Sequence, residues 1–223
     1  MGLALIDVVN DALATLGEQP IVNLEKNNAT STSILVRMKY PLVQRSILME
    51  ADWNCARITR KLDRLAARPK NGWAYTFQLP LDPECLQIVQ ISVDGEKFID
   101  LNAYYNQNAG PKETLFDIDR TTLLCNSEQV WIKYIGLVDV SSFDPFLAAA
   151  FSAKLAAELA YAIPASASLA QYLDQIATKK LKKAKSRNAL ARNIIKPEGE
   201  VLSTRFSSYD GYVRVDMSDE MEH

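Results

Sequence analysis

Histidine is nearly missing from this sequence, and the single one, His223, is the final residue. A terminal imidazole is poorly placed for acid–base catalysis or metal binding, both of which need a side chain held rigidly by its surroundings. Glycine is scarce too, with eight in 223 residues. No glycine-rich turn joins a strand to a helix, which excludes a phosphate cradle of the P-loop or dinucleotide type. The three cysteines, Cys55, Cys85 and Cys125, are far apart in sequence and include no Cys-x-x-Cys pair. That spacing speaks against a disulfide framework and a zinc site, and predicts buried free thiols. No window approaches the roughly 18 to 20 uninterrupted apolar residues of a membrane span. The start has no basic segment, and its apolar run is broken by Asp7, Asn10 and Asp11, unlike a signal peptide. Together these absences predict a protein of the cytoplasm, or one assembled there, with no cofactor, metal or membrane partner.

What is present is ordinary globular material: 48% hydrophobic and 23% charged residues, enough for a substantial core. The clearest local signal is the alanine-rich run from Asp144 to Ile163. Asp144 is an N-cap type, Pro145 fits the first helical turn where its missing N–H costs nothing, and Pro164 marks the stop. Leu147, Phe151, Leu155 and Leu159 recur every four residues on one face, while the alanines between them allow close helix packing.

Three further helices are predicted. Leu5, Val9, Leu13 and Leu16 share a face before Gly17 and Pro20. Thr30 or Ser31 caps a second helix whose inner side is expected to carry Ile34, Met38, Leu42, Arg45 and Leu48 or Met49, with Pro41 kinking or splitting it. A last long helix is expected from a cap at Ser166 or Ser168 to about Asn193, with Leu169, Leu173, Ala177, Leu181 and Ala184 inside. Between residues 57 and 140 the texture turns to β. Strands are expected at 74–79, 86–93, 97–101, 114–118, 121–125 and 130–137, with Asp94-Gly95 and Asp119-Arg120 as hairpin turns. Residues 68–72 and 102–112 read as polar loops.

The expected fold class is therefore α+β: a four-helix bundle of two N-terminal and two C-terminal helices (1–56 and 141–197), an inserted β-rich domain (57–140) and an extended C-terminal arm (198–223).

Chemistry is hard to find in this pattern. Asp82, Glu84, Asp117 and Asp119 sit at turns beside strands, where carboxylates stay solvated. The strongest charge feature is the last helix, where Lys179, Lys180, Lys182, Lys183, Lys185, Arg187, Arg192 and Lys196 follow Asp174 with no further acid until Glu198. Two readings stand side by side: a solvated outer helix whose cations suit the helix C-terminus, or a surface for phosphate or an acidic protein. No recognition-helix, zinc-finger or aromatic-platform signature accompanies the lysines, which argues against sequence-specific reading of DNA. Trp53, Trp73 and Trp131 fall at a helix end, a strand start and a strand middle. All suit core or interface anchoring, and Trp73 is the candidate for an intersubunit contact. The C-terminal arm carries Arg205, Phe206, Tyr209 and Tyr212 among polar residues, the composition of a segment that orders on a partner.

Four elements, in order, carry a resemblance: Val9-Asn10-Asp11-Ala12-Leu13-Ala14-Thr15-Leu16-Gly17-Glu18-Gln19-Pro20, then Ala51-Asp52-Trp53-Asn54-Cys55-Ala56-Arg57, then Tyr75-Thr76-Phe77-Gln78-Leu79-Pro80 leading to Leu86, then the Asp144 helix. Together they resemble the tail tubular protein A family, the adaptors or head-to-tail connectors of short-tailed bacteriophages, over residues 9–191. Cys55 stands where the family usually has an aromatic residue, and the stretch after Pro197 aligns with nothing.

The resemblance implies a non-enzymatic virion protein, located in the tail and assembled in the host cytoplasm. Its subunits would form a ring, typically a dodecamer, between the portal protein and a nozzle of the tail tubular protein B type. The ring would offer a platform for tail fibres, and the genome would pass through its channel during ejection. The portal or neighbour contacts would then be sought at Arg205, Phe206, Tyr209 and Tyr212. The rival reading is a cytoplasmic DNA-binding bundle that uses the lysine-rich helix.

Overall fold

The computed structural model describes residues 4–24, 30–66, 69, 72–106 and 115–193. The first helix, α1 (Leu5–Thr15), ends where Gly17 takes φ 76°, and the Glu18 amide donates back to the Leu13 carbonyl at 3.0 Å. This left-handed stop needs a residue without a Cβ clash. Asn10 then clamps the returning chain, since its amide donates to the Ile21 carbonyl at 3.0 Å and its oxygen accepts from the Ile21 N–H at 2.9 Å.

The second helix, α2 (Ser31–Met49), is capped by the Thr30 side chain, which accepts from the Ser33 amide at 3.1 Å. It continues as one element through Pro41, so of the two expected effects, a kink or a split, the split does not occur. Its inner face also differs from expectation. Val36, Val43, Gln44, Ile47 and Leu48 are buried, whereas Ile34, Met38, Leu42 and Met49 are exposed. The helix carries two apolar stripes, and Gln44 selects between them by donating to the Val138 carbonyl at 2.8 Å. Arg45, expected inside, instead reaches Glu84 with two bonds of 2.8 and 2.7 Å.

After α2 the chain turns at Trp53, which is fully buried and donates its indole N–H to the Ile47 carbonyl at 2.9 Å. It then enters strands β1 (Arg57–Lys61), β2 (Asp63–Leu65), β3 (Tyr75–Gln78), β4 (Cys85–Ser92) and β5 (Ile99–Asp100). A short helix α3 (Leu101–Asn106) follows, then β6 (Asp117–Asp119), β7 (Thr122–Cys125) and β8 (Trp131–Gly136). These form two antiparallel four-stranded sheets, ordered β1-β8-β4-β5 and β2-β3-β7-β6. Neither β1 nor β2 was predicted, because Arg57-Ile58-Thr59-Arg60-Lys61 carries too few apolar residues to alternate clearly. Residues 102–106, expected in a loop, and Leu101, expected at the end of a strand, are helical, and Leu101 is buried.

Both expected hairpin turns form. Arg120 takes φ 57° between β6 and β7, and Gly95 takes φ 80° after β4. A Cβ on Gly95 would also lie 3.0 Å from the Trp131 ring, so that position is closed to larger residues twice over.

Helix α4 (Pro145–Ala160) behaves as its sequence says. The Asp144 carboxylate accepts from the amides of Phe146 (2.8 Å) and Leu147 (3.1 Å), and Leu147, Phe151, Leu155 and Leu159 are fully buried. Burial of each such side chain contributes about 1.5–3 kcal/mol. Phe143 meets Phe151 edge to face at a centroid distance of 5.9 Å. The alanines are buried as well, because α1 packs on one side of α4 and α2 on another. The Ser152 hydroxyl, at 2.5 Å from an Asp11 carboxylate oxygen, ties α1 to α4.

A four-helix bundle bearing a β insertion is nevertheless not what forms, and the fold is a mixed α+β arrangement built on two sheets. Ile135 and Val89 of the first sheet join the helices in one apolar cluster. Ile132 and Tyr134, on the alternate face of β8, join Phe77 and Leu123 of the second sheet in another. Since successive side chains of a strand point to opposite faces, the first sheet lies between the helices and the second sheet.

The last helix, α5 (Ala167–Asn193), buries mainly small residues, Ala170, Ala177 and Ala184 with Leu173. It stands off from α2 and α4 across a cleft of about 300 Å³. The described residues up to Asn188 form one compact unit. The expected arm at 198–223 lies outside the described residues.

Two outcomes follow from this packing. Leu155→Ala should cost about 3 kcal/mol and Asp144→Ala about 1 kcal/mol in urea unfolding. Asp94 Oδ1 accepts from the Lys97 amide (2.9 Å), the Ser92 hydroxyl (2.8 Å) and the Glu96 amide (2.9 Å), which together hold its pKa down to about 2. Its folded pKa is depressed, so its contribution to stability is complete above the usual aspartate range and is lost as pH falls towards 2. A carboxyl NMR titration showing Asp94 at an ordinary aspartate value would contradict the turn geometry.

Candidate functional site

The lysine-rich stretch of α5 was the first candidate surface, and the structure divides its residues. Lys185 forms an ion pair with Glu50 at 2.8 Å. Lys183 and Arg187 both approach the Phe146 ring, at 5.2 and 5.3 Å from its centroid. Their charges thus lie against an aromatic side chain at the start of α4. Lys179, Lys180 and Lys182 are exposed.

Lys154 pairs with Asp174 at 2.6 Å, so α5 is fastened by charge at two levels along its length. A third fastening is Asn188, whose side chain accepts from the Asn54 amide and donates to the Asp52 carbonyl, both at 2.8 Å. Asp52 in turn binds Arg57 through both guanidinium nitrogens Nε and Nη2. This polar corner joins the end of α2, the start of β1 and α5. Asp52, Asn54 and Arg57 fall in the Ala51–Arg57 element named from the sequence, but nothing there announced Asn188, which lies more than a hundred residues on.

The acidic candidates are not brought together. Glu84 is drawn to Arg45, whose hydrogen bonds hold its carboxyl below the usual range. Asp117 and Asp119 sit on β6, one of the two described edge strands of the second sheet. Among the described residues no group of three or more His, Cys, Asp or Glu side chains could hold a metal ion. No buried side-chain nitrogen or oxygen among them lacks a hydrogen-bond partner. Trp73 is half-buried just before β3. Arg192 is the last basic residue of α5, and Lys196, Arg205, Phe206, Tyr209, Tyr212 and His223 lie outside the described residues.

A surface that the sequence reading placed inside is the most unusual feature. Ile34, Met38, Leu42 and Met49 of α2 are 40, 66, 64 and 52% exposed. Arg45 offered the warning, since a cation in the middle of a supposed inner face belongs at a surface.

The thiols are quiet. Burial raises the pKa of Cys55, with the Asp144 carboxylate adding to the effect, and burial also raises that of Cys125. Cys85 is pushed up to about 11, again by burial. At neutral pH roughly one Cys85 side chain in ten thousand would be thiolate. Alkylation of the folded protein by iodoacetamide at pH 7 should therefore be much slower than in urea, and equal rates would show that these side chains are open to solvent.

No protein-family model matches the chain, and no curated protein is significantly similar to it.

Proposed function

We propose that this chain is a structural subunit of a short-tailed phage tail, an adaptor that forms a ring between portal and nozzle. The observation that carries the reading is the exposed apolar face of α2, on a helix whose opposite side is already buried in the core. Such a helix has two surfaces to cover and one chain to cover them with, which is the condition of a subunit that meets neighbours.

The sequence resemblance supplies the kind of assembly. The ordered elements that carry it include the Asp144 helix, α1 with its Gly17 stop and the Trp53 corner, which are the parts that hold the subunit rigid. In this reading the protein has no active site and acts by geometry: its surfaces select the portal, close the ring and leave a channel for DNA. It would be assembled in the host cytoplasm and carried in the virion tail, with a nozzle of the tail tubular protein B type and tail fibres as further partners.

The rival reading, a DNA-binding lysine face, is weakened by the local engagement of Lys183, Lys185 and Arg187. The exposed cations of α5, Lys179, Lys180, Lys182, Lys183 and Arg187, would in that reading give binding that fades with salt.

Mass measurement decides between them. The protein alone and the protein mixed with its portal should differ, with a discrete multi-subunit species appearing only, or far more strongly, with portal. If portal leaves the mass unchanged while duplex DNA is bound at low salt, the adaptor reading fails.

A further inference from the structure

The exposed side chains Ile34, Met38, Leu42 and Met49 lie within about 80° of arc and about 22 Å of axial length at helical geometry. Other exposed large apolar residues, such as Val22, Val93 and Ile118, are scattered over separate elements. The stripe is therefore a surface in its own right.

Its charge specifies what can cover it. Residues 31–49 include Arg37, Lys39 and Arg45 and no carboxylate. Lys39 is paired with Glu158 at 3.3 Å and Arg45 with Glu84 at 2.7 Å. Arg37, directly before Met38, has no ion pair among the described residues. Two stripes packed antiparallel about a two-fold axis would offer Arg37 no carboxylate from either helix, while Arg45 is already matched by Glu84 of its own copy. A partner must instead bring an apolar side chain flanked by carboxylates.

The same chain carries that feature elsewhere. β6 consists of Asp117-Ile118-Asp119, all exposed, with Ile118 at 48%. With β2 it is one of the two described edge strands of its sheet, so a helix laid along the edge can meet Ile118 from one face and the two carboxylates from the other. Arg37, beside Met38 and without an ion pair among the described residues, finds its charge complement in Asp117 and Asp119 beside Ile118.

We propose that the α2 stripe is covered by the β6 edge of a second copy of this chain, in a heterologous contact that repeats from subunit to subunit. The contact rests on the ring reading above and gives it a surface, because two different patches that meet head to tail generate a ring when the rotation closes.

Full-length Met38→Cys and Ile118→Cys proteins, one carrying a size tag, test the contact. They are mixed and oxidised, both alone over a concentration series and in the presence of portal-bearing particles. Disulfide-linked heterodimers should exceed the self-links of either protein alone about tenfold, and Arg37→Asp in the Met38→Cys partner should lower the yield about tenfold. Pairing that variant with an Ile118→Cys protein that also carries Asp117→Arg and Asp119→Arg should restore the yield. Self-linking of the Met38→Cys protein equal to the mixture would overturn the proposal in favour of two-fold stripe pairing. Portal-dependent growth in mass without cross-links overturns the contact and leaves the ring reading standing. Cross-links without any portal-dependent mass support the contact and sink the portal assignment. Absence of both overturns both.

Discussion

The structure depends on α4 being buried nearly all round. A helix that presents leucine and phenylalanine on one side and alanine on the others can be approached closely from several directions. α1 and α2 use two of those directions, and the first sheet adds Ile135 and Val89 to the same core. Because so much converges on α4, its entry point is strictly defined. The Asp144 carboxylate satisfies two free amides there, and the Phe143 ring locks edge-on against Phe151. A loosened α4 would release both flanking helices and one face of the sheet together.

From this constraint follows the position of everything that could have a function. α2 is pinned by Gln44, Ile47 and Leu48, so its other stripe is turned outward. The first sheet, covered on both faces over much of its length, passes the order on to the second sheet through Ile132 and Tyr134. The second sheet then leaves β6 as one of its two described edge strands. The surfaces proposed to meet between copies are thus held by opposite ends of one continuous packing scheme. α5 adds Ala170, Leu173 and Ala184 to the same core and is also tied through two ion pairs and the Asn188 corner, beside a cleft.

Local features were readable wherever a short stretch contains both its signal and its reason. The Thr30 and Asp144 caps, the Gly17 stop and the turns at Gly95 and Arg120 need only neighbours in sequence, and each forms. The core stripe of α4 was legible from its spacing, as were Leu173, Ala177 and Ala184 of α5, whereas Ala170 was missed and Leu169 and Leu181 are only half-buried. The failures share one cause, competition decided at a distance. α2 satisfies helical periodicity with either of two stripes, and a hydrogen bond to Val138, 94 residues on, chooses between them. β1 carries so much charge that it reads as a loop until β8 pairs with it. The lysine face looked uniform along α5, yet Glu50 pairs with Lys185 and the Phe146 ring lies near Lys183 and Arg187.

By itself, then, the sequence determined where α1, α2, α4 and α5 lie and that the leucine and phenylalanine stripe of α4 would be buried. Those outcomes rest on backbone capping, steric limits on φ and residue inventory, all of which act within a few residues. Only the tertiary structure decided that the sheets share a core with the helices and which side of α2 faces outward. It also decided which lysines of α5 find partners. These depend on pairs of groups separated by tens to more than a hundred residues, whose meeting no local pattern records, because their energies arise only once the chain has brought them together.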